Sequence, residues 1–143
     1  MTKKKRNAQK IRSAKPFELW TAVLPVVKGS SLKCGRRPVI VISEDDYGEQ
    51  PFVTVIPLTR NLTAMQLPTH VLLCSRFLDE PSRALCEQVT TLDRARLIRR
   101  IGYIEEPFDR FAVRRALENR LRLDPMQAYG VAFEPVCVSR DLI

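Results

Sequence analysis

The chain has 143 residues, which is enough for one packed domain and too few for two. Its apolar fraction of 45% is ordinary for a soluble globular chain, and no stretch approaches the roughly 18 apolar residues that cross a bilayer. These values argue against a membrane-spanning protein. The formal charge of +8 predicts a polyanionic partner, whether nucleic acid, an acidic protein or a membrane surface.

The cysteines argue against a metal site. Cys34, Cys74, Cys86 and Cys137 are widely spaced and form no C-x-x-C pair, and His70 is the only histidine that could complete a ligand set. We therefore predict neither a metal nor another cofactor. The basic N-terminus is not followed by the apolar segment of a secretory signal. We expect reduced thiols in a cytoplasmic protein with no membrane attachment.

Both ends of the chain differ in composition from its middle. Residues 1–15 hold seven Lys or Arg and almost no apolar side chains, which predicts a disordered basic tail. This tail either contacts phosphates without sequence preference or only aids solubility. Residues 16–123 form the predicted domain. Residues 124–143, a C-terminal extension with two prolines and a short apolar run, either add an edge strand or remain loose.

The first predicted strand, 17–25, leads through a polar loop, 28–35, into the strand that organises the domain. This second strand follows Arg36-Arg37-Pro38 and contains four consecutive β-branched apolar residues, 39–42, which predicts burial on both faces. A guanidinium held beside such a rigid strand suits a phosphate, because it is planar and permanently charged. Pairing with a surface carboxylate is the competing interpretation for Arg36 and Arg37 alike.

Two further strands follow. The strand at 52–58 ends at Thr59-Arg60, which places a hydroxyl and a guanidinium at a strand terminus, although Thr59 also suits a simple turn. A short strand, 69–74, carries His70. A lone histidine between apolar neighbours is more often structural than catalytic.

Residues 83–91 predict one more strand, and Glu87 and Gln88 interrupt its apolar pattern. A carboxylate in such a setting needs a partner or a functional site, so Glu87 is the strongest acidic candidate in the chain. Residues 92–96 predict a short helical turn capped by Asp93, and residues 97–104 predict another strand.

The sequence predicts one helix, beginning at Glu105-Glu106-Pro107. Its apolar side chains, from Phe108 and Phe111 to Leu121, are predicted to face the core, and its arginines are predicted to face solvent. Six strands and one late helix indicate a mainly β fold with one C-terminal helix, arranged as a small, strongly bent barrel.

Four segments, in this order, resemble the MazF/PemK (Kid) toxins of bacterial type II toxin–antitoxin systems. They are GRRPVIVI at 35–42 with the preceding Gly29-Ser30, IPLT at 56–59, LPTHV at 67–71 and EQVTTLDRARL at 87–97. The match covers about residues 17–122. It implies a small SH3-like, CcdB/PemK-type barrel, usually homodimeric, that cleaves single-stranded RNA at short sequences without a metal. It also implies an mRNA interferase that an acidic antitoxin protein neutralises.

The resemblance also assigns site residues. In this family the ribose 2′-OH attacks the phosphate, which gives a 2′,3′-cyclic phosphate and a 5′-OH end. The family's arginine before Pro-Val falls on Arg37, and its threonine at the end of the next strand falls on Thr59. We predict that Arg37, Thr59 and Glu87 are catalytic, with Glu87 as the base or as a reader of the RNA base.

Two departures from the family pattern affect this assignment. The loop reads GSSL at 29–32, where many members have Gly-Ser-Glu-Gln. An Arg-Cys-Asp stretch, to which some members assign acid and base roles, aligns here with Leu85, Cys86 and Glu87, so only the carboxylate remains. The predicted RNA-binding side chains also have ordinary surface or core explanations; they are Ser31, Arg36, Arg60 and Gln88.

Two non-enzymatic functions fit the same barrel. A degenerate member would bind RNA without cutting it, which the altered loop makes credible. A CcdB-like gyrase poison would share the fold, but we would not expect it to pair Arg37 with Thr59. A histidine-pair ribonuclease is excluded, because the chain has one histidine.

Overall fold

The computed structural model describes residues 13–45 and 50–123 of the chain. The prediction of an edge strand or loose segment at 124–143 lies outside the described residues, as does most of the predicted tail. Ala14, inside that predicted tail, is buried, and the backbone N–H of Lys15 donates to Glu18 Oε1 at 2.7 Å. Ala14 and Lys15, at the end of the predicted tail, therefore pack as part of the domain.

Within residues 13–45 and 50–123, seven antiparallel strands form one sheet and one helix follows them. The strands are β1 (Glu18–Leu24), β2 (Gly35–Val41), β3 (Phe52–Thr59), β4 (His70–Leu73), β5 (Ser82–Leu85), β6 (Thr90–Asp93) and β7 (Leu97–Tyr103), and the helix is α1 (Pro107–Leu121). The sheet order is β4-β5-β3-β2-β1-β7, and β6 also pairs with β3. The predicted mainly β fold with one C-terminal helix is confirmed.

The sheet separates two hydrophobic cores. Ile40 of β2 joins the core under the helix, whereas its neighbours Val39 and Val41 join the core on the other face. All three are fully buried, which confirms the predicted strand buried on both faces. This burial on both faces makes β2 a rigid base for the arginines that precede it.

The prediction of one continuous strand at 83–91 is wrong. The chain leaves β5 after Leu85, forms a 3₁₀ turn at Cys86–Gln88 and only then enters β6. A continuous strand would point Glu87 and Gln88 to opposite faces of a sheet that is apolar on both. The turn instead lets both polar side chains reach neighbouring loops, where they find hydrogen-bond partners.

Helix α1 packs by a narrower face than its sequence predicts. Val113 and Ala116 are buried against the sheet, but Phe108 and Phe111 are 77% and 62% exposed. The prediction that both phenylalanines face the core is therefore wrong. Successive helical residues turn by about 100°, so Phe111 lies some 200° from Val113 and points away from the sheet.

A buried ion pair ties the turn after β6 to the β2–β3 connection. Arg94 lies in a predicted turn that the structure forms as a 3₁₀ turn, Arg94–Arg96, although the Asp93 side chain makes no capping hydrogen bond. The Arg94 guanidinium donates to both carboxylate oxygens of Asp45, at 2.9 and 3.1 Å, and both side chains are at most 5% exposed. The Arg94 backbone N–H also donates to the Pro51 carbonyl at 2.7 Å.

Candidate active site

Arg37 precedes the part of β2 that pairs with β3, and Thr59 ends β3, the neighbouring antiparallel strand. The β2–β3 register ends at Val39 and Pro57, and Arg37 and Thr59 each lie two residues beyond that last pair. Directly opposed residues on neighbouring strands point to the same face. Both side chains are half-buried and extend the face that carries Val39. The Arg37 Nη1–H donates to the Leu58 carbonyl at 3.2 Å, so the guanidinium reaches the residue directly before Thr59.

The backbone fixes the direction of the Arg37 guanidinium. Its Nε and Nη2 donate to the Cys34 carbonyl at 3.2 and 3.1 Å, and its Nη1 donates to the Leu58 carbonyl at 3.2 Å. Gly35, with a φ of +77°, makes the turn between Cys34 and Arg37 that a residue with a Cβ would strain. Each Nη retains one further N–H, so two donors remain for an anion.

The Thr59 hydroxyl closes a local turn. Its Oγ1 accepts the backbone N–H of Asn61 at 3.2 Å. An oxygen that accepts this bond keeps its own proton for donation. Thr59 can therefore serve as a hydrogen-bond donor to a phosphate oxygen beside the two N–H groups of Arg37.

Glu87 is held by two donors, Thr69 at the end of the β3–β4 loop (residues 60–69) and His70 at the start of β4. Its Oε2 accepts the Thr69 hydroxyl and its Oε1 accepts the His70 Nε2–H, both at 2.7 Å. The Leu67 backbone N–H donates to His70 Nδ1 at 3.1 Å, so the network places the ring proton on Nε2. Burial opposes the charge of Glu87, but hydrogen bonds from Thr69, its own backbone and His70 outweigh it and lower the pKa of this carboxyl.

The Cys86–Gln88 turn braces both loops that flank Arg37 and Thr59. Glu87 holds the end of the β3–β4 loop, and Gln88 Oε1 accepts the Lys33 backbone N–H, in the β1–β2 loop (residues 25–34), at 2.8 Å. Two adjacent polar side chains therefore fix two loops from different parts of the chain. Gln88 is half-buried in this role.

We predict that acid weakens the contribution of Glu87 to stability. A lowered carboxyl pKa stabilises the fold fully above its ordinary value of 4.5, and this stabilisation is lost as the pH falls through the lowered value. Urea unfolding of the protein and of Glu87→Gln, from about pH 7 down to about pH 3, should give a constant stability difference at the upper end that closes below about pH 4.5. A difference that widens in acid would contradict this assignment.

The predicted RNA-binding side chains occupy different surfaces. Arg36, Arg37 and Arg60 line one open groove of about 260 Å³ together with Asp79 and Glu80. Arg60 lies 4.0 Å from the Glu80 carboxylate. Ser31 is exposed in the β1–β2 loop.

Arg83 belongs to this region, although no motif in the sequence marks it. The β3–β5 register sets Arg83 directly opposite Thr59. The Arg83 guanidinium donates to the carbonyls of Leu62 and Ala64 at 2.8 and 2.9 Å. Its importance depends on strand register, for which the sequence offers no local signal.

The described ranges show neither a cluster of metal ligands nor an acidic thiol at Cys86. Those residues contain no group of three or more His, Cys, Asp or Glu side chains placed to hold a metal ion. Cys34, Cys74 and Cys86 are free there, whereas Cys137 lies outside them. Burial, together with the Glu87 charge, raises the pKa of the Cys86 thiol to about 12, so Cys86 is not a thiolate nucleophile at neutral pH.

Comparison with known proteins decides the family. The model of the PemK-like, MazF-like toxin of type II toxin–antitoxin systems matches residues 15–119. The chain belongs to this family. An endoribonuclease MazF from Staphylococcus saprophyticus is 35% identical to this MazF-like toxin over 92 residues, which cover 62% of the chain and 76% of the relative.

Solved structures of MazF toxins share this fold. The Mycobacterium tuberculosis toxin MazF-mt6 superposes with a TM-score of 0.61 at 28% identity, covering 75% of this MazF-like toxin and 98% of that chain. MazF from Deinococcus radiodurans gives a TM-score of 0.65 at 22% identity, covering 78% and 98%. The same protein in a MazE–MazF crystal gives a TM-score of 0.63 at 22% identity, also covering 78% and 98%. The predicted CcdB/PemK-type barrel is confirmed. No helix in the described part of the chain has the length and apolar character needed to cross a membrane.

Proposed function

We propose a mechanism, substrate and partners for this MazF-like toxin. Its class, an endoribonuclease of a toxin–antitoxin system, follows from the family match and from the relative named endoribonuclease MazF. Its substrate is single-stranded RNA, which it cleaves at short sequences. The observation that supports the proposal is that Arg37 reaches the Leu58 carbonyl, one residue before Thr59, while both Arg37 and Thr59 keep unused hydrogens.

The proposed reaction is attack of a ribose 2′-OH on the adjacent phosphorus. The 2′-oxygen forms a bond to phosphorus, the bond to the 5′-oxygen breaks, and the products are a 2′,3′-cyclic phosphate and a 5′-OH. Two N–H groups of Arg37 and the Thr59 hydroxyl donate to the phosphoryl oxygens as their negative charge increases. The attacking and leaving oxygens belong to one RNA strand, so holding them in line supplies much of the acceleration.

Glu87 enters this mechanism as a brace for the β3–β4 loop. The sequence suggested it as the base, but its carboxylate already accepts hydrogen bonds from Thr69 and His70, which lower its pKa and weaken it as a base. Arginine, with a pKa above about 12, is also a poor base. We assign both proton transfers, from the 2′-OH and to the 5′-oxygen, to solvent water, because the two free N–H groups of Arg37 donate to the phosphoryl oxygens.

The remaining predicted side chains supply RNA affinity in this proposal. Arg36 and Arg60 contact phosphates of neighbouring nucleotides, and Ser31 reads an unpaired base from the β1–β2 loop. Gln88 holds that loop through Lys33 and also offers its amide to a base. The basic residues 1–15 add salt-dependent affinity.

The proposed partners are an antitoxin and a second copy of the chain. A solved neighbour at 18% identity is an endoribonuclease with its cognate antitoxin, which motivates the first. A net charge of +8 favours an acidic antitoxin that covers the RNA groove. Family resemblance motivates a cytoplasmic homodimer, so light scattering of the purified chain should give twice its 16.4 kDa.

Incubation of the purified protein with a long RNA in EDTA tests the proposed function. We expect cleavage at short recurrent sequences, with 5′-OH ends and 2′,3′-cyclic phosphates at the new termini. Mapping the 5′ ends of the products then gives the recognised sequence. EDTA should leave the rate unchanged, because Arg37 and Thr59 supply the stabilisation that a metal would otherwise give.

The two alternatives give different results in the same assay. Tight RNA binding without cleavage would overturn the nuclease and favour a degenerate RNA-binding member. Neither binding nor cleavage, together with inhibition of DNA gyrase, would favour a CcdB-like poison. Cleavage that EDTA abolishes would overturn the metal-independent mechanism while leaving the nuclease class intact.

A further inference from the structure

Arg83 is the centre of a hydrogen-bonded loop. It projects from β5 opposite Thr59, and its two Nη atoms donate to the carbonyls of Leu62 and Ala64 in the β3–β4 loop at 2.8 and 2.9 Å. These carbonyls are two residues apart, so one planar fork spans both. Arg83 is half-buried as a residue, and its two hydrogen bonds lie at the exposed surface.

Hydrogen bonds within the β3–β4 loop connect this contact to Thr59. Asn61 Oδ1 accepts the backbone N–H and the hydroxyl of Thr63, at 3.1 and 2.7 Å. The Asn61 backbone N–H donates in turn to Thr59 Oγ1 at 3.2 Å. Arg83 therefore holds the carbonyls on either side of Thr63. Thr63 donates to the Asn61 side chain, and the Asn61 backbone N–H donates to the Thr59 hydroxyl oxygen.

We propose that Arg83 is a positioning residue for RNA cleavage: by clamping the Leu62 and Ala64 carbonyls it fixes the loop that orients the Thr59 hydroxyl toward the scissile phosphate. The catalytic part of this inference rests on the proposed function. In this proposal Arg83 acts through the loop: each of its Nη atoms donates one N–H to a backbone carbonyl, and these two bonds fix the guanidinium against the loop.

The chemistry of the contact explains the need for arginine. A guanidinium presents its donors in a rigid plane and bridges two acceptors at once. A lysine at position 83 would keep the charge but has a single flexible ammonium, which cannot hold two carbonyls in the same fixed geometry. The positioning role therefore predicts that lysine does not restore activity, whereas a phosphate contact predicts partial rescue.

The test uses Arg83→Met and Arg83→Lys in the full chain, with Arg76→Met as the matched control. Arg76 is 68% exposed and pairs with Glu105 beside the helix, so its loss should change little. We expect both Arg83 variants to lose about ten- to a hundredfold in kcat with little change in KM, because the hydroxyl is misplaced while RNA affinity remains. Thermal unfolding of each variant confirms that it is folded.

Two readouts separate positioning from other roles. Amide hydrogen exchange at Asn61 and Thr63 should become faster in both Arg83 variants and stay unchanged in Arg76→Met, whether or not RNA is present. The salt dependence of RNA binding should stay unchanged, since a lost phosphate contact would reduce the slope by about 1. A reduced slope in Arg83→Met with rescue by lysine would overturn the proposal in favour of an RNA-phosphate contact.

The remaining outcomes are also decisive. A wild-type protein that cuts no RNA would overturn the proposed function. A wild-type protein that cuts, together with Arg83 variants that cut equally well, would overturn only the role of Arg83. Unchanged exchange at Asn61 and Thr63 in both Arg83 variants would overturn the clamp itself.

Discussion

Replacing Arg37 with alanine should lower the rate of RNA cleavage by about 10²–10³-fold, the usual cost of removing a donor that stabilises transition-state charge. The loss should appear in kcat, because the two free N–H groups of Arg37 interact most strongly with the phosphoryl oxygens as their charge increases. Single-turnover cleavage of a short RNA containing one mapped site measures the effect. Folding should be nearly unaffected, because the side chain is half-buried and its acceptors, the carbonyls of Cys34 and Leu58, can bond to water instead.

Two further variants serve as controls for the Arg37→Ala result, one for side-chain geometry and one for net charge. Arg37→Lys should remain strongly impaired, because an ammonium cannot hold both carbonyls and still present two aligned donors. Arg99→Ala, on the exposed surface of β7, removes the same charge elsewhere and should cleave at the wild-type rate. Equal activity of Arg37→Ala and Arg99→Ala would remove Arg37 from the mechanism.

The second large effect concerns stability. Asp45→Ala should lower the free energy of unfolding by about 3–5 kcal/mol, because it leaves the Arg94 charge buried without its carboxylate. The pair makes two hydrogen bonds, and the Arg94 side chain is only 5% exposed, so water cannot easily replace Asp45. Urea denaturation followed by Trp20 fluorescence measures the change, since Trp20 lies in the core.

An apolar replacement of both partners provides the contrast. The double variant Asp45→Leu/Arg94→Met should be far more stable than Asp45→Ala, because it removes the unpaired charge together with its partner. Among the described residues, Arg94 Nε is also a buried donor without an acceptor, so its removal carries a small gain. If the double variant were as unstable as Asp45→Ala, the cause would be lost packing and not the isolated charge.

Local patterns predicted most of the fold. The β-branched run after Arg37 fixed the central strand, and Glu106-Pro107 marked the start of the helix, because burial and backbone preference act over a few residues. The failures have non-local causes. The turn at Cys86–Gln88 forms because Glu87 and Gln88 find partners in distant loops, and the exposure of Phe108 depends on how the helix rotates against the sheet.

The candidate site divides in the same way. Arg37 and Thr59 were found through motifs at strand ends, and Glu87 through the need of a half-buried carboxylate for a partner. Which residues satisfy that need could not be read from the sequence, since Thr69 and His70 lie 18 and 17 positions away. The sequence did not indicate a role for Arg83, because that role depends on its position opposite Thr59 in the neighbouring strand.

The tether of Arg37 to the main chain has a consequence for inhibition. Its guanidinium is anchored by the carbonyls of Cys34 and Leu58, and these belong to the backbone beside a rigid core strand. Because these acceptors are backbone carbonyls, rotation of a neighbouring acidic side chain cannot move the guanidinium away from the groove. We therefore expect this toxin to be inhibited by another molecule that binds over the groove. Activity should return as soon as the bound molecule dissociates or is degraded.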